Sequence, residues 1–383
     1  MRTAEEKLKI RGAKVFVCLA GLVFLGSCGG PLQYTKNGDL HYSRGEYERA
    51  AAEYRKNIKY YESINYPLYM LNLAVANYRA GLLDESERAF LTALKLSRGE
   101  NLSALEKNFG FLAPKSEESY RLRNYEEVMA HFYLALIYVR TNKLDKAIVE
   151  FKKINLIDPE YPLMRYIMGK SYQLDGKTEE AEIEFRLTNR YRKEFPYSYF
   201  DRIEFYERSG MSGEAAGALK KYLAADGGSR LAEKVSERAF DFSGSGELIV
   251  LLEPENHVEK IKKKNRGSYF YKIYIDGEYY GKSHIIEDID LQKTKKRISK
   301  MLKSALKDAA RSMIIEKVFG GTASDNVERR EWEKIPGIVH IFKTHLPTGS
   351  YKMKAVLYFK EIEISEAERT VEIKESGVRF VSF

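Results

Sequence analysis

The sequence predicts an α+β multidomain protein: an N-terminal α-solenoid of helical hairpins, then a β-sandwich-like domain with one long helix. Three observations lead to this prediction: a repeated pattern of small residues, a short Gly–Ser segment at 243–246, and strand-like runs after it. We expect the solenoid over residues 32–240 and the β-rich domain over 245–383, with the long helix at 291–319. A chain of 383 residues, 44% of them hydrophobic, is long enough for two such domains.

Five candidate turn residues, each between two predicted helices, indicate a repeat. They are Gly45, Gly81, Asn142, Gly176 and Gly210, and the last three are 34 residues apart. Five positions after each turn stands a small residue: Ala50, Ser86, Ala147, Ala181 and Ala215. Small residues at a fixed register let paired helices approach closely. The pattern resembles the tetratricopeptide repeat, whose units bury their apolar faces by stacking on one another.

The repeat has an interruption, a marked helix end and a predicted cap. The spacing from Gly81 to Asn142 is 61 residues, and the excess predicts an insertion or a degenerate repeat at 97–123. Asp158-Pro159 lies where a tetratricopeptide repeat ends its second helix. Residues 229–240 predict one amphipathic helix that caps the last repeat.

The second half changes in composition after the predicted hinge at residues 243–246. Strand-like runs cover residues 247–252, 269–275, 278–285, 337–343, 351–360, 370–374 and 378–383. Asp276-Gly277 predicts a tight turn between two of them. Apolar residues at helical spacing predict the helix at 291–319, which Gly320-Gly321 would end.

The N-terminus has the features of a secretory signal. A basic stretch precedes the apolar run 15–25, which is too short to span a bilayer, and Leu25-Gly26-Ser27-Cys28 follows. This ending resembles the lipobox of bacterial lipoproteins. The resemblance implies a signal peptide at 1–27, acylation of Cys28 with chains such as palmitate, and anchoring to the outer membrane. Gly29 and not Asp follows the cysteine, so the resemblance implies the outer membrane, with its periplasmic face as the default. The alternative is an ordinary signal peptide with an incidental cysteine.

Charge and cysteine content limit the partners. The only other cysteine, Cys18, lies in the predicted signal, so a processed chain would have no disulfide. The net charge is +9, and a basic protein outside the cytoplasm meets no nucleic acid. Basic residues at 260–266 and 293–311 would then form a solvated surface or contact anionic lipid or wall polymer.

The two halves together resemble a family. Four segments carry the resemblance: residues 120–155, the run Gly246 to Leu251, Trp332 with Ile335-Pro336, and Leu346 to Tyr351. Their order along the chain is similar to that in a poorly characterised group of bacterial tetratricopeptide lipoproteins. The resemblance implies a fold and a location in the cell envelope. It implies no reaction.

No catalytic constellation stands out, and the chain is predicted not to be an enzyme. His340 and His345 lie five apart in a strand pattern, so they would face opposite sides and could not share a metal. His41 and His131 fall inside repeats, where packed histidines are expected. We therefore predict no metal and no cofactor.

Together these features predict a lipid-anchored envelope scaffold whose repeats bind a protein or peptide segment. The alternative is a surface or wall-binding adhesin that uses the β-rich domain. In the repeats, the position two residues before the turn predicts a peptide-binding groove at Arg79, Arg140 and Arg208, with Phe132, Tyr166 and Phe200 beside it. A guanidinium suits a carboxylate ligand, but these arginines could instead cap helix C-termini.

The anchor gives a first prediction. The wild-type chain should incorporate labelled fatty acid and partition into detergent, whereas Cys28→Ala should do neither, because its acylated thiol is gone. Cys18→Ala is the matched control and should behave like the wild type. If neither the wild type nor Cys28→Ala carries lipid, the predicted location is wrong.

Overall fold

The computed structural model describes residues 35–60, 65–99, 120–237, 243–253, 268–288, 332, 334–375 and 377–382. Several expectations therefore lie outside the described residues: the signal at 1–27, Cys28, the helix at 291–319 and residues 100–119 of the insertion. In the described part, no helix is long and apolar enough to cross a membrane.

Antiparallel helical hairpins form the first half, here called the helical region. Its helices are α1 Lys36–Ser43, α2 Tyr47–Arg55, α3 Tyr66–Ala80, α4 Leu83–Ser97, α5 Asn124–Arg140, α6 Leu144–Ile157, α7 Pro162–Leu174, α8 Thr178–Tyr191, α9 Tyr197–Arg208, α10 Ser212–Asp226 and α11 Arg230–Ser236. A 3₁₀ turn, Lys56–Tyr60, follows α2. The predicted capping helix is shorter than expected, and Ser229 caps its N-terminus by accepting a bond from the Ala232 amide.

The five predicted turn residues are confirmed by their backbone conformation. Each has a positive φ, between 55° and 80° (Gly45, Gly81, Asn142, Gly176 and Gly210). Glycine adopts this left-handed conformation without strain, and asparagine is among the few other residues that tolerate it. The end of α6 before Asp158-Pro159 is also as predicted.

Small residues stand both five residues after a turn and, as at Gly38 and Gly169, seven residues before it, and they allow close contact between paired helices. A Cβ on Gly38 would lie 2.3 Å from the Tyr54 ring, and one on Gly169 would lie 2.6 Å from the Phe185 ring. Ala74 stands at the position of these two glycines, seven residues before its turn, and Ser86 of the paired helix donates a 2.8 Å hydrogen bond to the Ala74 carbonyl. The register therefore sets how closely the two helices of a hairpin pack.

Among the described residues, eight strands form two four-stranded sheets, here called the β region. The strands are β1 Ser245–Leu252, β2 Tyr269–Ile275, β3 Glu278–Lys282, β4 His284–Asp288, β5 Ile338–Pro347, β6 Gly349–Phe359, β7 Ile362–Ile373 and β8 Val378–Ser382. Sheet I has the order β4-β5-β1-β8 and sheet II the order β3-β2-β6-β7. Neighbours are antiparallel except β1 and β8. The sheets share a hydrophobic core that includes Leu248 and Val250 of sheet I and Tyr271 and Ile273 of sheet II.

Three sequence expectations differ from the observed strands. The predicted strand 278–285 is two strands in different sheets, because Ser283 leaves the ladder and exchanges bonds with the Tyr271 backbone. The predicted strand 370–374 begins eight residues earlier, at Ile362. The predicted hinge at 243–246 is wrong in its second half, since Ser245 and Gly246 already belong to β1 and pair with β5.

The repeat contacts give a second prediction. Gly169→Ala should lower the free energy of unfolding by about 1–3 kcal/mol, because the buried Phe185 ring cannot move away from the new methyl group. Gly217→Ala, on the exposed side of α10 with no atom within 4 Å, should raise it by about 0.4–1 kcal/mol. Urea unfolding measures both, and equal effects would mean that the register does not set the packing.

Candidate functional site

The inner side of the helical region is covered by sheet I. We use "inner face" for the side of α3, α5, α7 and α9 that packs on β1 and β5. Along β1, Leu248, Val250 and Leu252 enter the core between the sheets, while Ile249 and Leu251 belong to the hydrophobic cluster of the helices. Both faces of β1 are therefore buried, which explains its uninterrupted apolar sequence.

Acidic residues lie at both ends of the apolar run 248–252 of β1, and each forms an ion pair with a basic residue of the inner face. Glu253 forms an ion pair with Arg79 from the last turn of α3, whose side chain is only 2% exposed. Burial lowers the pKa of Arg79, but the Glu253 carboxylate together with the neighbouring tyrosines Tyr42, Tyr133 and Tyr47 raises it above its ordinary value. The guanidinium therefore stays charged and fixes the end of β1.

The beginning of β1 is fixed by four charged side chains, here called the buried ion network: Lys170 of α7, Asp201 of α9, Glu247 of β1 and Lys343 of β5. The Lys170 Nζ lies 2.6 Å from a Glu247 oxygen and 3.0 Å from an Asp201 oxygen. The Lys343 Nζ lies 2.6 Å from the other Glu247 oxygen and also contacts Asp201. Two cations and two anions make the network neutral, and no side chain in it is more than 8% exposed.

The network holds its carboxylate in the charged state. Burial raises the pKa of Glu247, but the Lys170 and Lys343 ammonium groups lower it well below its ordinary value. Nearby His345 stays neutral, since burial lowers its pKa to about 3 although Glu247 raises it. Lys343 also lies 4.3 Å above the Phe200 ring, a distance at which a cation is attracted to the aromatic face.

Further polar contacts cross the same boundary. The His284 Nε2 lies 2.8 Å from Asp226, and Arg192 donates a 3.1 Å bond to the Ile285 carbonyl. The Trp332 amide donates a 2.6 Å bond to Glu126 of α5. Glu287 of β4 is buried there, and burial raises the pKa of its carboxyl to about 8. The helical and β regions thus share one polar and apolar interface.

The predicted groove residues take different places. Phe132, Tyr166 and Phe200 are buried on the inner face against the chain's own residues. Arg79 is also buried, and it lines an open pocket of about 430 Å³ with Gly45 to Arg49 and Ala80. Arg140 is half-buried with its guanidinium 5.2 Å from the Tyr78 ring, and Arg208 is exposed. Peptide binding by these six residues stays a prediction, and at the three buried aromatic residues a partner would have to replace β1.

The sequence analysis missed Lys170, Glu247, Glu253 and Lys343. A signal was present, because Glu247 and Glu253 bound an apolar run and Lys343 interrupts another. Charged residues in strands that are buried on both faces need partners, although the sequence does not name them.

The described histidines occupy structural positions. His131 lies 2.5 Å from Glu150 inside a hairpin, and His41 lies 2.6 Å from Glu46. His340 and His345 face opposite sides of sheet I as predicted, with His340 near Tyr271 and His345 near Phe200. Within the part of the chain that the structure describes, no three His, Cys, Asp or Glu side chains are grouped to hold a metal ion.

Comparison with known proteins identifies the repeat. A tetratricopeptide-repeat family model matches residues 35–101. No curated protein matches the chain. Among solved structures, a crystal structure of MamA is 18% identical, covers 53% of this chain and 96% of its own, and has a TM-score of 0.39. YrrB, described as a TPR protein with an unusual peptide-binding site, is 14% identical, covers 57% and 97%, and has a TM-score of 0.41. Residues 35–101 thus match the tetratricopeptide repeat, a class of structure that generally serves protein–protein interaction and not catalysis.

The buried ion network gives a third prediction. Lys343→Met should lower the free energy of unfolding by about 3–5 kcal/mol, because it leaves an uncompensated buried carboxylate. Lys343→Met with Glu247→Gln should cost less than the sum of the two single changes, since the remaining Lys170–Asp201 pair is neutral. Lys177→Met, an exposed control, should change it by less than about 0.5 kcal/mol. Equal effects of Lys343→Met and Lys177→Met would contradict this role.

Proposed function

We propose that this chain is a lipid-anchored scaffold of the cell envelope, whose helical repeats bind an acidic segment of a protein partner. In this proposal the repeats form a solenoid, the two sheets form a sandwich, and the lipobox-like sequence at Cys28 supplies the anchor. The outer membrane, at its periplasmic face, is the proposed location. No chemical reaction is part of the proposal.

The observation that carries the proposal is how the inner face holds β1. This face binds an extended segment with apolar residues in its middle and a carboxylate at each end. Stacked repeats characteristically offer a concave surface to extended segments. The same helices therefore have the chemistry that an acidic partner segment needs, although their centre is occupied by the chain itself.

The arginines outside the buried centre supply the proposed contact. Arg140 and Arg208 end α5 and α9 at the repeat position that Arg79 occupies on α3. At that position Arg79 binds a carboxylate of its own chain. We propose that Arg140 and Arg208 bind carboxylates of the partner at the rim of the inner face.

This proposal gives a fourth prediction. Arg140→Ala with Arg208→Ala should weaken capture of a stoichiometric envelope protein by at least about tenfold, or about 1.4 kcal/mol, and leave the Tm nearly unchanged. Capture is measured by pulldown from detergent-solubilised envelope with the full chain. The full chain is needed because each region buries the other.

Two variants frame that experiment. Arg186→Ala with Arg190→Ala removes the same charge from the exposed side of α8 and should leave capture intact. Arg79→Ala should instead lower the stability by about 3–5 kcal/mol, because Glu253 loses its buried partner. Undiminished capture by the Arg140–Arg208 variant would contradict the proposal and mean that these arginines only cap their helices. Retention of that variant by purified wall material would favour the adhesin.

A further inference from the structure

Sheet II ends in a long exposed strand. β7 has twelve residues and pairs with β6 on one side, and no other strand in the described ranges pairs with its outer edge. Most of its residues are exposed, among them Ile362 at 65% and Ile364 at 41%. Within the described ranges, therefore, no strand takes up the backbone amide and carbonyl groups of the outer edge.

We propose that β7 is a docking edge for an extended partner segment with Lys or Arg at every second position. The segment would add to sheet II as a fifth strand. Main-chain hydrogen bonds would give affinity, and the alternating side chains would give specificity.

The edge lacks several of the devices that prevent strand addition, namely proline, lysine and short length. Long natural edges are commonly protected by proline, by lysine, by short length or by bulges. β7 contains neither proline nor lysine. Its pairing with β6 is irregular only near the start, opposite Leu357 and Tyr358, and is regular from Ser365 to Ile373. A regular run of that length can accept a strand of ordinary size.

The negative charge of β7 favours a basic partner segment. One face of β7 carries a row of glutamates: Glu363, Glu366, Glu368 and Glu372. Glu368 is 2.8 Å from Lys352, and Glu366 contacts Lys354, yet these two carboxylates remain 42% and 52% exposed. An added strand would lie about 4.8 Å away, so its basic side chains on this face would stand directly beside the glutamates.

A second copy of the chain fits this edge poorly. Two β7 strands paired edge to edge on the same face would set glutamates against glutamates, and like charges directly opposite are destabilising. The glutamate row thus favours a basic segment over self-association.

The proposal gives a fifth prediction, tested with a fluorescent ten-residue peptide that alternates Lys with Val. The full chain should bind the peptide, and the triple variant Glu363→Gln, Glu366→Gln and Glu368→Gln should weaken binding by roughly tenfold. Fluorescence anisotropy measures the Kd. The matched control Glu179→Gln, Glu180→Gln and Glu214→Gln makes the same charge change on exposed helix positions and should keep the wild-type affinity.

Two altered peptides separate strand addition from simple attraction of charge. A peptide with the same composition but its lysines grouped together should bind less tightly, and one with N-methyl groups at alternate residues should not bind. Equal binding of all three peptides would overturn the proposal.

Three other results would also overturn it. They are unchanged binding by the glutamate variant, a wild-type dimer that the glutamate variant loses, and binding that appears only after Lys260, Lys262, Lys264 and Arg266 are changed to Gln. The last result would mean that the chain's own basic segment fills the edge.

Discussion

The buried ion network is the constraint on which the rest of the molecule depends. Lys170 and Asp201 come from two helices, and Glu247 and Lys343 from two strands, so neither region can satisfy its own charges. Uncompensated charges inside a protein cost several kcal/mol each. Apolar contacts alone would allow many relative positions of the helices and sheet I, whereas the four charges are all paired in only one of them. Sheet I is thereby held at one register on the inner face, and Arg79 with Glu253 repeats the arrangement at the other end of β1.

This arrangement changes what the repeats do. An inner face in a tetratricopeptide array is usually considered a site for another molecule, but here its centre binds a strand of the same chain. The helical region supports the β region, and the β region in turn covers apolar surface that the helices would otherwise expose. Sheet II lies on the far side of the shared core and keeps its outer surface for other contacts. Candidate surfaces for partners therefore lie at the rim of the helices and on the outer strands.

Local features were predictable from the sequence, and long-range ones were not. The turn residues were found because glycine and asparagine mark left-handed backbone, and β2 was found at its true ends because its alternation reflects one buried face. The first half of β7 was missed because an edge strand with glutamates on one face lacks an apolar pattern. The crossing at Ser283 was missed because neither a proline nor an Asp-Gly turn marks it in the sequence. Glu253 and Arg79 are 174 residues apart, and nothing local in either segment names the other.

The distance along the chain between the interacting charges has a consequence for the order in which the molecule is made. A ribosome completes the helical region before β1 exists, so the inner face emerges first with its apolar surface bare and Lys170 without Glu247. Lys343, the last member of the network, follows almost a hundred residues after Glu247. Non-local contacts of this kind slow folding and prolong the exposure of aggregation-prone apolar surface. A product truncated before β5 would therefore keep an uncovered inner face.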